Sequence, residues 1–181
     1  MMMHSAHIYP PASRQSGALF LVCPDCQLEQ KIRSAYGENS YFLTALGAVF
    51  ERCEATRAEE LNQFLLAEDI HDIYVVNDTD CTFMKNAICR EHNFHTRAEA
   101  VLKLLLRKNK ALQEDPCCTV EEKAKRLAQL NIFRQSIDLM DTAYIGHKIQ
   151  DHDLELHGLI YNRTTQVFEE VAMNRLDALR K

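Results

Sequence analysis

Two short stretches combine thiols and carboxylates at spacings that metal or redox chemistry uses. The first is Cys23-Pro24-Asp25-Cys26 and the second is Asp78-Thr79-Asp80-Cys81. Each follows an apolar run, Ala18-Leu19-Phe20-Leu21-Val22 in one case and Ile73-Tyr74-Val75-Val76 in the other. Polar turns after buried strands are where α/β proteins place their chemistry, and neighbouring parallel strands bring their C-terminal ends together. Cysteine thiolate and aspartate carboxylate are both competent zinc ligands. Two such turns can therefore close one tetrahedral site although they lie far apart in the chain. The spacing alone also admits a thiol redox pair at Cys23 and Cys26, or turns that only reverse the chain. Against the redox reading, a redox Cys-x-x-Cys opens a helix, whereas polar, turn-prone residues follow Cys26 here. No phosphate-cradling G-x-x-x-x-G-K-[ST], no G-x-G-x-x-G and no G-x-S-x-G is present.

The elements that must position these turns follow from periodicity. Residues 18–22 form a continuous apolar run ended by a proline turn, which suits a buried strand of a parallel sheet. Residues 27–40 are polar, with Gly37, Asn39 and Ser40 as breakers. Residues 41–53, YFLTALGAVFERC, carry apolar groups at helical spacing, and a second helical pattern covers 56–68. A strand is expected at 72–77 and a helix from about 82 to 90. Thr96 and Thr119 each precede a glutamate by three residues, Glu99 and Glu122, which is capping-box spacing. They predict helices over 96–113 and from 119 to about 143, separated by Asp115-Pro116. LELHGLIYN and QVFEEV alternate apolar and polar around Asn162-Arg163-Thr164-Thr165, which predicts an edge hairpin. The order β-α-α-β-α-α-α-β-β predicts an α/β fold: a mainly parallel sheet with flanking helices and an antiparallel C-terminal edge hairpin. Residues 1–17 read as an irregular arm and 18–181 as one domain.

Composition sets the surroundings. The chain has 181 residues, 46% hydrophobic and 26% charged, enough for one sizeable core. A formal net charge of −5 argues against general nucleic-acid binding, which needs a basic surface. No apolar run approaches the roughly 20 residues that span a bilayer. The start has no long apolar segment of the secretory kind, so a cytoplasmic setting is expected. Seven cysteines, an odd number, then favour free or metal-bound thiols over a disulfide framework. Cys53, Cys89, Cys117 and Cys118 fall in helical patterns and read as plain thiols.

The arrangement resembles the β-class carbonic anhydrases. Their zinc motif is Cys-x-Asp-x-Arg in a first turn and His-x-x-Cys in a second. ALGAVFERCEATRAEELNQFLLAEDIHDIYVVNDTDC is laid out like that family's helix, connection and second zinc-bearing strand. Asn131-Ile132-x-x-Gln135 is similar to its N-V-x-x-Q helix, and Leu156-His157-Gly158-Leu159-Ile160-Tyr161-Asn162 to its V-H-G-W-x-Y-D edge strand. The likeness covers residues 18–171. It implies a bound zinc ion, reversible CO2 hydration or attack on a related small electrophile, and a homodimer or higher oligomer.

Carried over position by position, Cys23 and Cys81 match the two zinc cysteines. Asp25 matches the catalytic acid, which in the family pairs with the arginine or closes on the metal. Asp78 stands at the histidine position, Gln27 at the arginine and Thr82 at the glycine after the second cysteine. The resemblance thus implies metal ligands Cys23, Asp78 and Cys81, with Asp25 as a further donor in a closed site; on residue chemistry alone Cys26 is an extra donor candidate, or a thiol that packs behind the turn. Zinc with two thiolates and an imidazole is neutral overall, and a carboxylate in place of the imidazole makes it anionic. An anionic centre acidifies water less than catalysis near neutral pH requires. The expectation is a divergent member, weak or inactive in CO2 hydration, acting as a metal-binding or structural protein. The alternative is an active zinc enzyme.

Overall fold

The computed structural model describes residues 16–50, 55–89, 92, 94–109 and 118–173. Five strands form one sheet: β1 (Gly17–Val22), β2 (Ser40–Thr44), β3 (Ile70–Asp78), β4 (Glu155–Asn162) and β5 (Val167–Val171). Their spatial order is β2-β1-β3-β4-β5. The first four run parallel, and β5 pairs antiparallel with β4 through a short turn. The mainly parallel α/β sheet with an antiparallel C-terminal edge is thus as the sequence predicts.

The helices are α1 (Glu29–Tyr36), α2 (Ala55–Ala67), α3 (Thr82–Cys89), α4 (Arg97–Lys108), α5 (Val120–Met140) and α6 (Ala143–Gln150). Thr96 accepts from the Glu99 N–H to start α4, and Thr119 and Glu122 form a complete capping box at α5. Both sheet faces are covered, which is why β1 and β3 read as apolar runs rather than alternations. Phe20, Val22, Val76 and Leu159 face one core with Met84, Leu102 and Leu127. Leu19, Leu21 and Ile73 face the other, with Leu65 and Ile145. On the first face Phe20 stacks on Tyr74 at 4.7 Å, and Tyr74 stacks on His157 at 4.5 Å.

Two expectations are corrected. Residues 41–53 do not open as a helix: Ser40–Thr44 is an edge strand in parallel register with β1, followed by a single 3-10 turn at Leu46–Ala48. Gly47 sits at φ 62°, a left-handed conformation that ends any α-helical path there. The polar stretch before it folds as α1. Likewise the helix begun at Thr119 ends at Met140, and a separate helix, α6, follows at Ala143. The arm over residues 1–15 and the thiols Cys53 and Cys117 lie outside the described residues, and Gly17 already belongs to β1.

Candidate metal centre

Strand β1 ends at Val22 and β3 at Asp78, and the two strands are hydrogen-bonded neighbours. Their C-terminal turns therefore meet. Cys23, Cys26 and Cys81 are all buried, and their sulfurs lie within 4.8 Å of one another. A short 3-10 turn over Pro24–Cys26 makes this possible, because it brings Cys26 back onto the side of Cys23. The residue that caps it, Gln27, takes a left-handed φ of 51°. Tetrahedral zinc with sulfur ligands at about 2.3 Å needs sulfurs about 3.8 Å apart, and three buried thiols grouped within 4.8 Å can close to that spacing. The donor set is soft, which also favours zinc over a hard cation such as magnesium.

The thiols polarise one another. Hydrogen bonds from Cys26 and Cys81 hold Cys23 well below the ordinary thiol range, against the opposing effect of burial. The Gly47 N–H adds a further donor to the Cys23 sulfur at 3.1 Å. Cys26 and Cys81 move upward, chiefly because each gives its proton to the Cys23 sulfur. A cation entering the cluster displaces those protons.

Asp78 and Asp25 lie outside the thiol group. The Asp78 carboxylate is fully buried, and its Oδ2 accepts from Arg163 Nε at 2.8 Å and Nη2 at 2.6 Å. Its Oδ1 accepts from the Asp80 N–H at 2.8 Å, the hydrogen bond of an Asx turn. Asp25 is exposed, and its Oδ2 accepts from the Thr82 N–H at 3.3 Å. This links the first turn to the start of α3.

Helix α5 holds the wall beside Cys23. Asn131, buried, donates from Nδ2 to the carbonyls of Gly47 and Ala48 at 3.2 and 3.1 Å, and to Asn77 Oδ1 at 3.1 Å. Four residues on, Gln135 Oε1 accepts from the Phe50 N–H at 2.9 Å. The i, i+4 spacing puts both amides on one helix face, where they clamp the loop that carries the Gly47 N–H. Sequence reasoning finds Asn131 and Gln135 by resemblance but misses Arg163 and Gly47. Arg163 reads as a turn residue, and Gly47 falls inside an apparent helical pattern.

A second cluster, Asp72, Glu155 and His157, brings its ligand atoms within 4.8 Å of one another near the other end of β3 and β4. There His157 Nε2 is 2.9 Å from Asp72 Oδ1.

A family profile described as carbonic anhydrase matches residues 18–167. No functionally curated protein matches the chain. Among solved structures, the wild-type β-carbonic anhydrase CafD of Aspergillus fumigatus superposes with a TM-score of 0.73 at 17% identity, covering 91% of this chain and 94% of that one. A tetrameric β-carbonic anhydrase of Sordaria macrospora gives 0.72 at 17% identity, covering 87% and 81%. A Coccomyxa β-carbonic anhydrase in complex with acetazolamide gives 0.65 at 14%, covering 88% and 73%. With the profile spanning most of the domain and the fold shared across it, the chain belongs to the carbonic anhydrase family, in its β class.

Proposed function

We propose that the chain is a divergent β-carbonic anhydrase that holds zinc on Cys23, Cys26 and Cys81 and hydrates CO2 weakly or not at all. The observation that carries this reading is the buried trio of thiols. When bound, zinc in this class polarises water for attack on CO2. Here Cys26 supplies the third donor, and the site gains one negative charge over two thiolates and an imidazole. That charge opposes the acidification of water and repels an anionic product. Asp25, the acid implied by the resemblance, is tied to the Thr82 N–H and has no cationic partner at position 27.

A second reading, an active zinc-dependent enzyme, is favoured by the same count of donors. The thiol group contains three ligands, and catalytic zinc sites keep a fourth position for water. Zinc sites built from three cysteines do activate water in the nucleobase deaminases. Metal analysis of protein purified without an affinity tag separates metal binding from none. We expect stoichiometric zinc, lost in Cys23→Ser and weakened in Cys26→Ser. Stopped-flow CO2 hydration then separates the two readings. A rate no greater than that of a Cys81→Ser control supports the divergent reading, and robust zinc-dependent turnover overturns it.

The tetrameric relative supports a homodimer or higher oligomer for this chain as well. Gel filtration with light scattering tests this, and a monomer would refute it. The three clustered thiols are free rather than bridged, which suits a reducing compartment and supports a cytoplasmic location. Among the described residues no helix is long and apolar enough to cross a membrane.

A further inference from the structure

We propose that Arg163 is a positioning residue that fixes the metal's protein donors at three, by holding Cys26 in the site and Asp78 out of it. The inference rests on the reading that Cys23, Cys26 and Cys81 bind the ion. Arg163 lies in the β4–β5 turn and reaches both strand-end turns with one guanidinium. Its Nη2 donates to the Cys26 carbonyl at 2.5 Å, which pins the backbone of the third thiol. Its Nε and Nη2 both donate to Asp78 Oδ2. With Oδ1 committed to the Asp80 N–H, both carboxylate oxygens already have partners. The guanidinium carbon also lies 5.4 Å from the centre of the Tyr161 ring.

The charge balance explains why this cation matters. Three thiolates already outweigh a divalent ion, and a carboxylate added as a fourth ligand would make the centre more anionic still. While Arg163 neutralises Asp78, the carboxylate gains nothing by binding metal. Without Arg163, a fully buried carboxylate keeps only one backbone N–H and has no counter-ion. Three residues from Cys81, it would then gain from a cation bound at the thiols. The site would then close into four protein donors, the pattern of structural zinc. With Arg163 in place the fourth position stays available to an exogenous ligand.

Cobalt(II) substitution reads this directly, because its visible and thiolate charge-transfer bands report donor set and coordination number independently of turnover. Azide serves as the exogenous ligand. We expect the wild-type cobalt protein to show three-thiolate bands that shift on azide titration, and Asp78→Asn to show the same bands and azide affinity within about twofold. Arg163→Ala should change the bands and weaken azide binding at least about tenfold; Arg163→Ala/Asp78→Asn, which has no carboxylate to close the site, should regain azide binding while its bands still depart from wild type through the unpinned Cys26. Changed bands in Asp78→Asn mean that Asp78 already binds the metal and overturn the proposal. An unaltered azide response in Arg163→Ala also overturns it. If Arg163→Ala does not fold, Arg163→Gln, which keeps most of the side chain and removes the charge, takes its place with the same expected and overturning results. Failure of the wild-type protein to bind cobalt or zinc at the thiols removes the underlying metal reading as well, a different failure from metal bound with Arg163 indifferent.

Discussion

Replacing Asn131 by alanine should destabilise the protein by about 3 kcal/mol while leaving the thiol cluster assembled. The side chain is inaccessible to solvent, and its Nδ2 makes three hydrogen bonds, to Gly47 O, Ala48 O and Asn77 Oδ1. A buried acceptor left without a partner costs about 1–3 kcal/mol. Three acceptors at the low end of that range, allowing for water entering the space the amide vacates, give the estimate. Among the described residues Asn131 Oδ1 has no partner, so its removal offsets part of that cost rather than adding to it. Urea unfolding measures the effect as a lower midpoint at unchanged slope. Asn131→Asp should be at least as costly, because a carboxylate facing two carbonyls and the Asn77 oxygen is repelled by all three. Zinc content at a temperature well below the unfolding transition should stay that of wild type, since Asn131 touches the loop and not the sulfurs. A loss under about 1 kcal/mol would refute the view that helix α5 clamps this loop. Wild-type stability with metal lost would show instead that Asn131 acts on the cluster itself.

Three further outcomes are expected. Gly47→Ala should cost about 1–2 kcal/mol from the left-handed φ alone, and more from crowding, since the added Cβ lies 3.1 Å from Leu102 Cδ1 and 3.3 Å from Phe83 Cβ; thermal unfolding measures it, and an unchanged midpoint would contradict a left-handed backbone at this position. The Lys103 ammonium, 2.6 Å away, and the Phe94 N–H hold the Glu99 carboxyl below its ordinary range despite enclosure by the core. A depressed carboxyl stabilises above its unfolded value near about 4.3 and loses that contribution as pH falls through its folded value; Glu99→Gln should therefore be less stable than wild type at neutral pH, with the gap closing under acid conditions, and a gap that widens in acid would reverse the argument. Asp78→His should not recreate an imidazole ligand, because it leaves Arg163 without its carboxylate; with Arg163 about two-fifths exposed we expect a loss of about 1–3 kcal/mol and no gain of histidine–metal signals by X-ray absorption, whereas clear metal–nitrogen scattering would show that the pair does not control this position.

The strand ends carrying Cys23 and Cys81 are legible in the sequence because buried parallel strands leave continuous apolar runs, and a proline or polar turn marks their ends. The caps at Thr96 and Thr119 are legible for a similarly local reason, a hydroxyl and a glutamate three residues apart. Strand β2 is not. Tyr41, Phe42 and Leu43 are only half-buried or exposed at the sheet edge, so their alternation is weak and their spacing imitates a helix. Gly47 is the local hint of a break, since a left-handed residue cannot continue the helix that YFLTALGAVF otherwise spells. Arg163 is beyond local reading altogether. Its partner is 85 residues away, and the pairing exists only because the β4–β5 turn comes to rest beside the end of β3.

That long-range pairing changes what the aspartate at position 78 means. Taken alone, a carboxylate where the family has an imidazole reads as a swapped ligand, and its charge makes the centre more anionic. In the fold, however, three features are physically linked. Asp78 is neutralised by a cation from the hairpin, the guanidinium supplying that cation also grips the Cys26 carbonyl, and Cys26 brings a third sulfur to Cys23 and Cys81. Without Arg163 the buried carboxylate has no counter-ion, and without Asp78 the guanidinium loses its ion pair. A histidine at 78 leaves Arg163 without its carboxylate. The route back to an imidazole-containing centre therefore runs through at least positions 26, 78 and 163 together, and single substitutions should be intermediates of lower stability than either end.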